Sequence, residues 1–272
     1  MPLSERQTQI LARLQHAGGS LSSSELTDTF GVSVQTIRKD LNELSNQGLV
    51  QRVHGGITLP NRNLSFSNRQ VINLEAKRAI ARAVAASLPE GACIFLGIGT
   101  TPQQVALALL DHPGLQVITN NLNAAMTLCH NPRIETLLAG GRVRPSDQDM
   151  TGEDTTAFLR RFRVNFGIFG IGGLSARGDL MDFSPEESHI SRAIIECSEQ
   201  RILVADSSKY LRNAPVRSGS LSDVHLYVTE SICPSVAALL EQAGTELLCA
   251  GSGGVRTASK TGRTARRQEM EP

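Results

Sequence analysis

Tryptophan is absent from this chain and tyrosine occurs only as Tyr210 and Tyr227, so its core has to be assembled from aliphatic side chains. No apolar run approaches the ~20 residues of a bilayer-spanning helix. The N-terminus is broken by Ser4-Glu5-Arg6-Gln7-Thr8-Gln9, so neither a signal peptide nor a membrane contact is expected and the sequence reads as cytoplasmic. Five scattered cysteines (Cys93, Cys129, Cys197, Cys233, Cys249) form no C-x-x-C pair. That spacing argues against a disulfide framework or a metal site and favours buried free thiols. Charge of one sign is also missing: 27 basic against 26 acidic side chains leave +1, which by itself selects no partner. No metal and no cofactor is expected. Hydrophobic residues at 40% and 272 residues in all nonetheless suffice for a buried core with a small second domain.

Two patterns follow one another. Residues 5 to 47 read as three helices with short breaks and no strand. From about residue 92, apolar runs alternate with helical stretches; the strand candidates are Cys93–Leu96, Gln116–Thr119, Glu135–Leu138, Asn165–Ile171, Ile202–Ala205, His225–Thr229 and Glu246–Cys249. Strands alternating with helices imply crossovers, and so an α/β fold with a mostly parallel sheet covered on both faces. The expected division is a winged helix-turn-helix over 1–58, a polar linker over 59–73, a sensor domain over 74–250 and a basic tail without structure over 251–272. The tail carries Arg256, Lys260, Arg263, Arg266 and Arg267 against Glu269 and Glu271. It reads either as extra non-specific affinity for DNA or as an inert extension.

In the N-terminal part, Ser22 and Glu25 have capping-box spacing ahead of a short second helix, and Gly31 allows a tight turn. Ser33 can cap a third helix whose Val34, Ile37, Leu41 and Leu44 form a buried stripe. The other face offers Gln35, Thr36, Arg38, Lys39 and Asn42. Gln pairs bidentately with adenine and Arg with guanine, while Thr and Lys hold phosphates. Base reading is therefore assigned to Gln35, Thr36 and Arg38, near the start of the helix. Residues 49–58 read as a hairpin wing whose Arg52 and His54 face the DNA backbone or minor groove. The competing reading, a helical protein-binding module, is disfavoured because three of the five basic residues in 1–60 fall on the third helix or the wing.

Further on, Gly97-Ile98-Gly99-Thr100-Thr101-Pro102 follows a strand and opens a helix. Glycines, hydroxyls and free helix-start amides make an anion site. Thr119-Asn120-Asn121, Gly140-Gly141, Gly170-Ile171-Gly172-Gly173 and Asp206-Ser207-Ser208-Lys209 also follow strands, and in an open parallel sheet such loops converge beyond the strand ends. The expected effector set is Gly97, Gly99, Thr100, Thr101, Asn120, Asn121, Gly140, Gly141, Gly172, Asp182, Glu187 and Lys209. Lys209 would hold a phosphate, and Asn120, Asn121 and Asp182 would hold hydroxyls.

The run Val32 to Leu44 followed by His54-Gly55-Gly56, together with the five loops in the same order, resembles the DeoR family of bacterial repressors over about residues 3–249. The resemblance implies a sensor fold related to ribose-5-phosphate isomerase and the coenzyme A transferases. It also implies a homo-oligomer on a double-stranded DNA operator and release by glycerol 3-phosphate or a related sugar phosphate. Two positions depart from the family pattern: Gly97 replaces a polar or acidic residue, and Ser184 replaces a second Asp after Asp182-Phe183. Both changes are expected to remove ligands from the pocket. Because the fold has enzyme relatives, an isomerase with Glu187 as general base is the alternative, and the attached winged helix argues against it.

Overall fold

The computed structural model describes residues 3–16, 20–53, 55–58, 66–252 and 255–257. Three helices, α1 (Glu5–His16), α2 (Ser23–Phe30) and α3 (Val34–Asn46), pack around Ile10, Leu14, Leu26, Ile37, Leu41 and Leu44. The capping box forms as its spacing predicts. Ser22 Oγ accepts from the Glu25 amide at 3.2 Å, and the Glu25 carboxylate accepts from the Ser22 amide at 2.8 Å. Gly31 closes α2 at φ 60°, and Ser33 caps α3 by accepting from the Thr36 amide at 3.2 Å.

Two expectations for this unit are corrected. Val34 is outside the core, 46% exposed, because it lies in the first turn of α3 beyond the layer that Val32 closes. A polar residue instead completes the inner face: buried Asp40 accepts from Arg6 Nε at 2.5 Å and from Gln7 Nε2 at 3.5 Å, tying α1 to α3. The region before residue 47 also contains a strand, Ser20–Ser22, which pairs antiparallel with Gly56–Thr58 of the wing hairpin. A Cβ at Gly56 would stand 2.1 Å from the Leu21 carbonyl oxygen, so this third strand requires glycine there.

Part of the stretch read as a linker is helical: α4 spans Phe66–Val71 and is followed by α5, Leu74–Ala85. The sensor sheet then runs Glu246–Cys249, Leu226–Thr229, Ser198–Val204, Val164–Phe169, Cys93–Leu96, Leu115–Thr119, Ile134–Leu138, all parallel. These are the seven strands expected from the sequence. Within the tail, Val255–Thr257 adds an antiparallel edge strand, and the rest of the tail beyond residue 257 lies outside the described residues.

The connecting helices are α6 (Thr100–Ala108), α7 (Leu122–Leu128), α8 (Glu153–Leu159), α9 (Pro185–Glu196) and α10 (Pro234–Ala243). They divide between the sheet faces as a period of two requires. Ile94, Leu96 and Val117 meet Ile80 and Val84 of α5 and Val105 of α6, while Phe95 and Ile118 join Leu159, Ile190 and Ile194 on the other side. Two small sheets were not foreseen: the hairpin Arg142–Arg144/Asp149–Thr151, and Gly173–Leu174 with Asp179–Asp182 and Val216–Ser220. Their strands are too short and too polar to carry a periodic signal. Among the cysteines, Cys197 is buried, whereas Cys129 is exposed, contrary to the burial expected beside an apolar run; Cys233 is exposed as well.

Candidate functional site

Strand Cys93–Leu96 is where the sheet order turns: later strands add on one side as Leu115–Thr119 and Ile134–Leu138, and on the other as Val164–Phe169 and beyond. Such a switch point opens a crevice past the carboxyl ends of the two central strands. An open cavity lies there, lined by Ile98 to Pro102 after the first strand, Gly170 to Gly172 after its neighbour, and Lys209 after Ser198–Val204. Gly99 caps α6 at φ 112°, a backbone conformation that a side chain would strain, and delivers buried Thr100 and Thr101 to the wall. Asp182 and Glu187 complete the part of the site anticipated from sequence.

Five expected residues do not line the cavity. Asn120 and Asn121 follow Leu115–Thr119, on the far side of the switch point. Asn120 donates to the Met150 carbonyl at 2.8 Å, and Asn121 caps α7 by accepting from the Ala124 amide at 3.1 Å. The Gly140 carbonyl accepts from Thr155 Oγ1 at 2.8 Å, and a Cβ on Gly141 would strike the same oxygen. Together these groups buttress the 142–151 hairpin. A Cβ at Gly97 would point at Ile194 Cδ1 and Phe169 Cβ, 3.1 and 3.3 Å away, so glycine here lets α9 pack closely against the strand end. Ser184 likewise serves the helix, capping α9 by accepting from the Glu187 amide at 3.3 Å.

The residues missed in the sequence give the site its polarity. Arg69 of α4 lines the cavity and pairs with Asp147 of the hairpin. Lys77 of α5 is buried and donates to the carbonyls of Arg69 and Ile72 at 2.5 and 2.6 Å. Arg212 stacks over the Phe183 ring, 4.8 Å from its centroid, and donates to the Gly172 carbonyl at 3.4 Å. With Lys209 these make four crowded cations. Burial, then repulsion from Arg212, Lys77 and Arg69, pushes the Lys209 ammonium well below its usual range. Burial lowers Lys77 to about 8 and Arg212 to about 10. Asp206 stays below the usual carboxylate range despite its burial, because Lys209 and Lys77 face it.

The opposite wall is acidic and tightly bonded. Arg144 donates to Asp149 at 2.8 and 2.5 Å and to Glu187 Oε1 at 2.8 Å, and lies 3.9 Å from Asp147. Asp182 accepts from Ser191 at 2.9 Å and from the Gly172 amide at 3.3 Å, and burial raises it to about 6. Glu187 Oε2 accepts from the Phe183 amide at 3.0 Å. A cavity with a cationic end and a carboxylate wall suits a small molecule with an anionic head and hydroxyl groups. The hydroxyls donate to carboxylates and the anion takes charge-assisted bonds. Among the described residues, no group of three or more His, Cys, Asp or Glu could hold a metal ion.

In the N-terminal unit Gln35, Arg38 and Lys39 are exposed on α3. Thr36 is half-buried, with Oγ1 2.9 Å from Ser33 Oγ, so both hydroxyls serve the cap. Arg52 is half-buried on the wing, its Nη1 buried and without a protein partner. His54 lies outside the described residues. Among the described residues, no helix is long and apolar enough to cross a membrane.

Comparison with known proteins covers both units. Residues 6–63 match the DeoR-like helix-turn-helix domain, and residues 72–231 match the DeoR C-terminal sensor domain. The chain is 45% identical over 218 residues to the glycerol-3-phosphate regulon repressor of Escherichia coli, covering 79% of this chain and 86% of that one. It is 43% identical to the protein of the same name from Haemophilus influenzae, over 89% of this chain and 96% of that one. The HTH-type transcriptional repressor CsqR of Escherichia coli is 37% identical over 80% of this chain and 84% of its own. Among solved structures, ribose 5-phosphate isomerase A from Neisseria gonorrhoeae is 16% identical with a TM-score of 0.37, covering 50% of this chain and 53% of that chain.

Proposed function

Because the chain belongs to the DeoR family of transcriptional repressors, we propose that its cavity takes a phosphorylated polyol, glycerol 3-phosphate foremost, and that this ligand releases the protein from its operator. The observation that carries the reading is the charge at the cavity's cationic end. Arg69, Lys77, Lys209 and Arg212 gather there against Asp206 and Asp147, so basic side chains outnumber acidic ones by four to two. A phosphate monoester carries about −1.5 to −2 at neutral pH and matches it. Thr100 and Thr101 at the start of α6 add the anion-binding geometry of a helix N-terminus, and Asp182 stands across the cavity for a hydroxyl. Glu187, held at both oxygens by Arg144 and the Phe183 amide, serves this wall in preference to abstracting a proton, which favours a regulator over an isomerase.

The working protein in this reading is a cytoplasmic homo-oligomer on a palindromic or repeated operator. Its DNA-binding unit covers 1–58 and its sensor begins at Leu74. Gln35 and Arg38 read bases, Lys39 and Arg52 hold backbone phosphates, and Ser33 and Thr36 fix the helix start. Arg38→Ala should weaken operator binding by about 1–3 kcal/mol and relax selectivity at one base position, as measured by operator-variant titrations.

Coupling between the ends runs through α4. Arg69 reaches the cavity, Lys77 holds the Arg69 and Ile72 carbonyls together, and Ile72 packs against the core of the DNA-binding unit. An arriving phosphate competes with Asp147 for Arg69. Asp147→Asn should therefore tighten glycerol 3-phosphate binding and, by linkage, loosen operator binding in the ligand's absence, each by several-fold. Calorimetry and operator titration read the two arms, and unchanged values in both would remove the competition.

A proton is drawn in as well. Lys209 and Lys77 sit below their usual range, and an anion raises both, so the complex binds more protons than the free protein. Affinity should fall as pH rises from 7 to 9, by up to about tenfold per pH unit for each lysine that titrates. Calorimetry in buffers of different ionisation enthalpy should register the proton uptake.

The decisive experiment is a thermal-shift and operator-release panel on the full chain with glycerol 3-phosphate, glycerol, ribose 5-phosphate, glucose 6-phosphate and inorganic phosphate. Glycerol 3-phosphate should raise the melting temperature and release the operator while glycerol does neither. A response to a hexose phosphate alone would reassign the effector, and no response to any would remove the cavity from the mechanism.

A further inference from the structure

We propose that Val34 is a base-reading residue whose isopropyl group meets the C5-methyl of a thymine in the operator's major groove. At 100° per residue, Val34, Gln35, Arg38, Lys39 and Asn42 fall within one arc of about 140° on α3. Ile37, Asp40, Leu41 and Leu44 occupy the buried side. Val34 is the first residue of the helix and 46% exposed, whereas Val32, two residues earlier, is packed into the core. Thr36, the other small side chain of that turn, is bound to the Ser33 hydroxyl. The first turn of the recognition helix therefore presents Val34 and Gln35 outward, with Arg38 one turn above Val34.

Residues in this turn are the ones that reach base edges. An apolar side chain has one partner of its own kind in the major groove of unmodified DNA, the thymine methyl. The neighbouring exposed positions Gln35, Arg38, Lys39 and Asn42 are all polar, so Val34 is not part of an apolar patch that a protein partner would cover. Helix stability gives no reason for it either, since a β-branched residue at an exposed helical site is a poorer helix former than alanine or lysine.

The test uses the full chain. Operators are selected from a random duplex library, and each thymine of the selected half-site is then replaced by deoxyuridine, which deletes only the methyl group. For the native protein one thymine per half-site should be sensitive, binding roughly three- to fivefold more weakly as uracil, the worth of about one buried methyl. Val34→Ala should bind the thymine and uracil duplexes alike, and Arg38→Ala should keep the methyl sensitivity. Circular dichroism of the Val34→Ala protein checks that α3 is intact, as its exposed position predicts. The proposal is overturned if no uracil substitution weakens the native protein, if the selected half-site has no thymine, or if Val34→Ala keeps the full sensitivity.

Discussion

Arg144→Ala should destabilise the sensor domain by about 3–5 kcal/mol, the cost of removing one partner from a buried ion pair. Its guanidinium is the common counter-charge of Asp149, Glu187 and Asp147, which come from the hairpin and from α9. Arg144 is 16% exposed and Asp149 1%, so water replaces little of what is lost. Burial, which disfavours the cation, is outweighed by its hydrogen bonds to Asp149 and Glu187, and the group stays charged. In the variant three carboxylates face one another without it; burial already holds Asp149 above its usual range, and losing the Arg144 hydrogen bonds raises it further. Stability of the variant is then retained below the unfolded carboxylate pKa, near 4, and lost as pH rises through the raised values. Thermal melts at pH 4.5 and 7.5 should show a deficit that is large at the higher pH and reduced at the lower. Equal deficits would mean that Arg144 acts by packing alone. Arg144→Lys keeps the charge but not the two-pronged bond to Asp149, and should fall between.

Lys209→Gln should produce a repressor that holds its operator and no longer answers to the effector. Removing a charge that contacts a buried anion costs about 2 kcal/mol or more, some 30-fold or greater in Kd. The unliganded fold keeps its stability, because Lys77 remains beside Asp206 and the crowding of Arg212 and Arg69 is relieved. The measurement is the glycerol 3-phosphate concentration that half-releases the protein from operator DNA. A midpoint within threefold of the native value would place the phosphate elsewhere. Since operator affinity without ligand should be unchanged, a loss there would indicate a damaged fold.

Much of the architecture was legible because it rests on local pattern. Seven apolar runs gave seven strands, and their alternation between faces needs only a period of two. The capping box at Ser22 and Glu25 and the Ser33 cap depend on atoms three residues apart, so spacing predicts them. Val34 shows where pattern fails: periodicity places it near the buried face, but whether a core continues to that level depends on the neighbouring chain. The strand Ser20–Ser22 was missed for the same reason, since its partner lies some 36 residues downstream in the wing.

At the site, the sequence by itself determined which loops follow strands and which of them are rich in glycine, hydroxyls and amides. That was enough to nominate Gly99, Thr100, Thr101, Gly172, Asp182, Glu187 and Lys209. Only the tertiary structure decided which of those loops share a crevice. Strand order put Asn120, Asn121, Gly140 and Gly141 beyond the switch point, and order is a long-range property with no local signature. It also brought Arg69 from a stretch read as linker to the cavity, and set Lys77 of an amphipathic helix and Arg144 of a polar hairpin against residues that line it. A sequence with nearly balanced charge thus carries a strongly polarised site, because folding sorts charges by position in space, and their sum along the chain says nothing about where they meet.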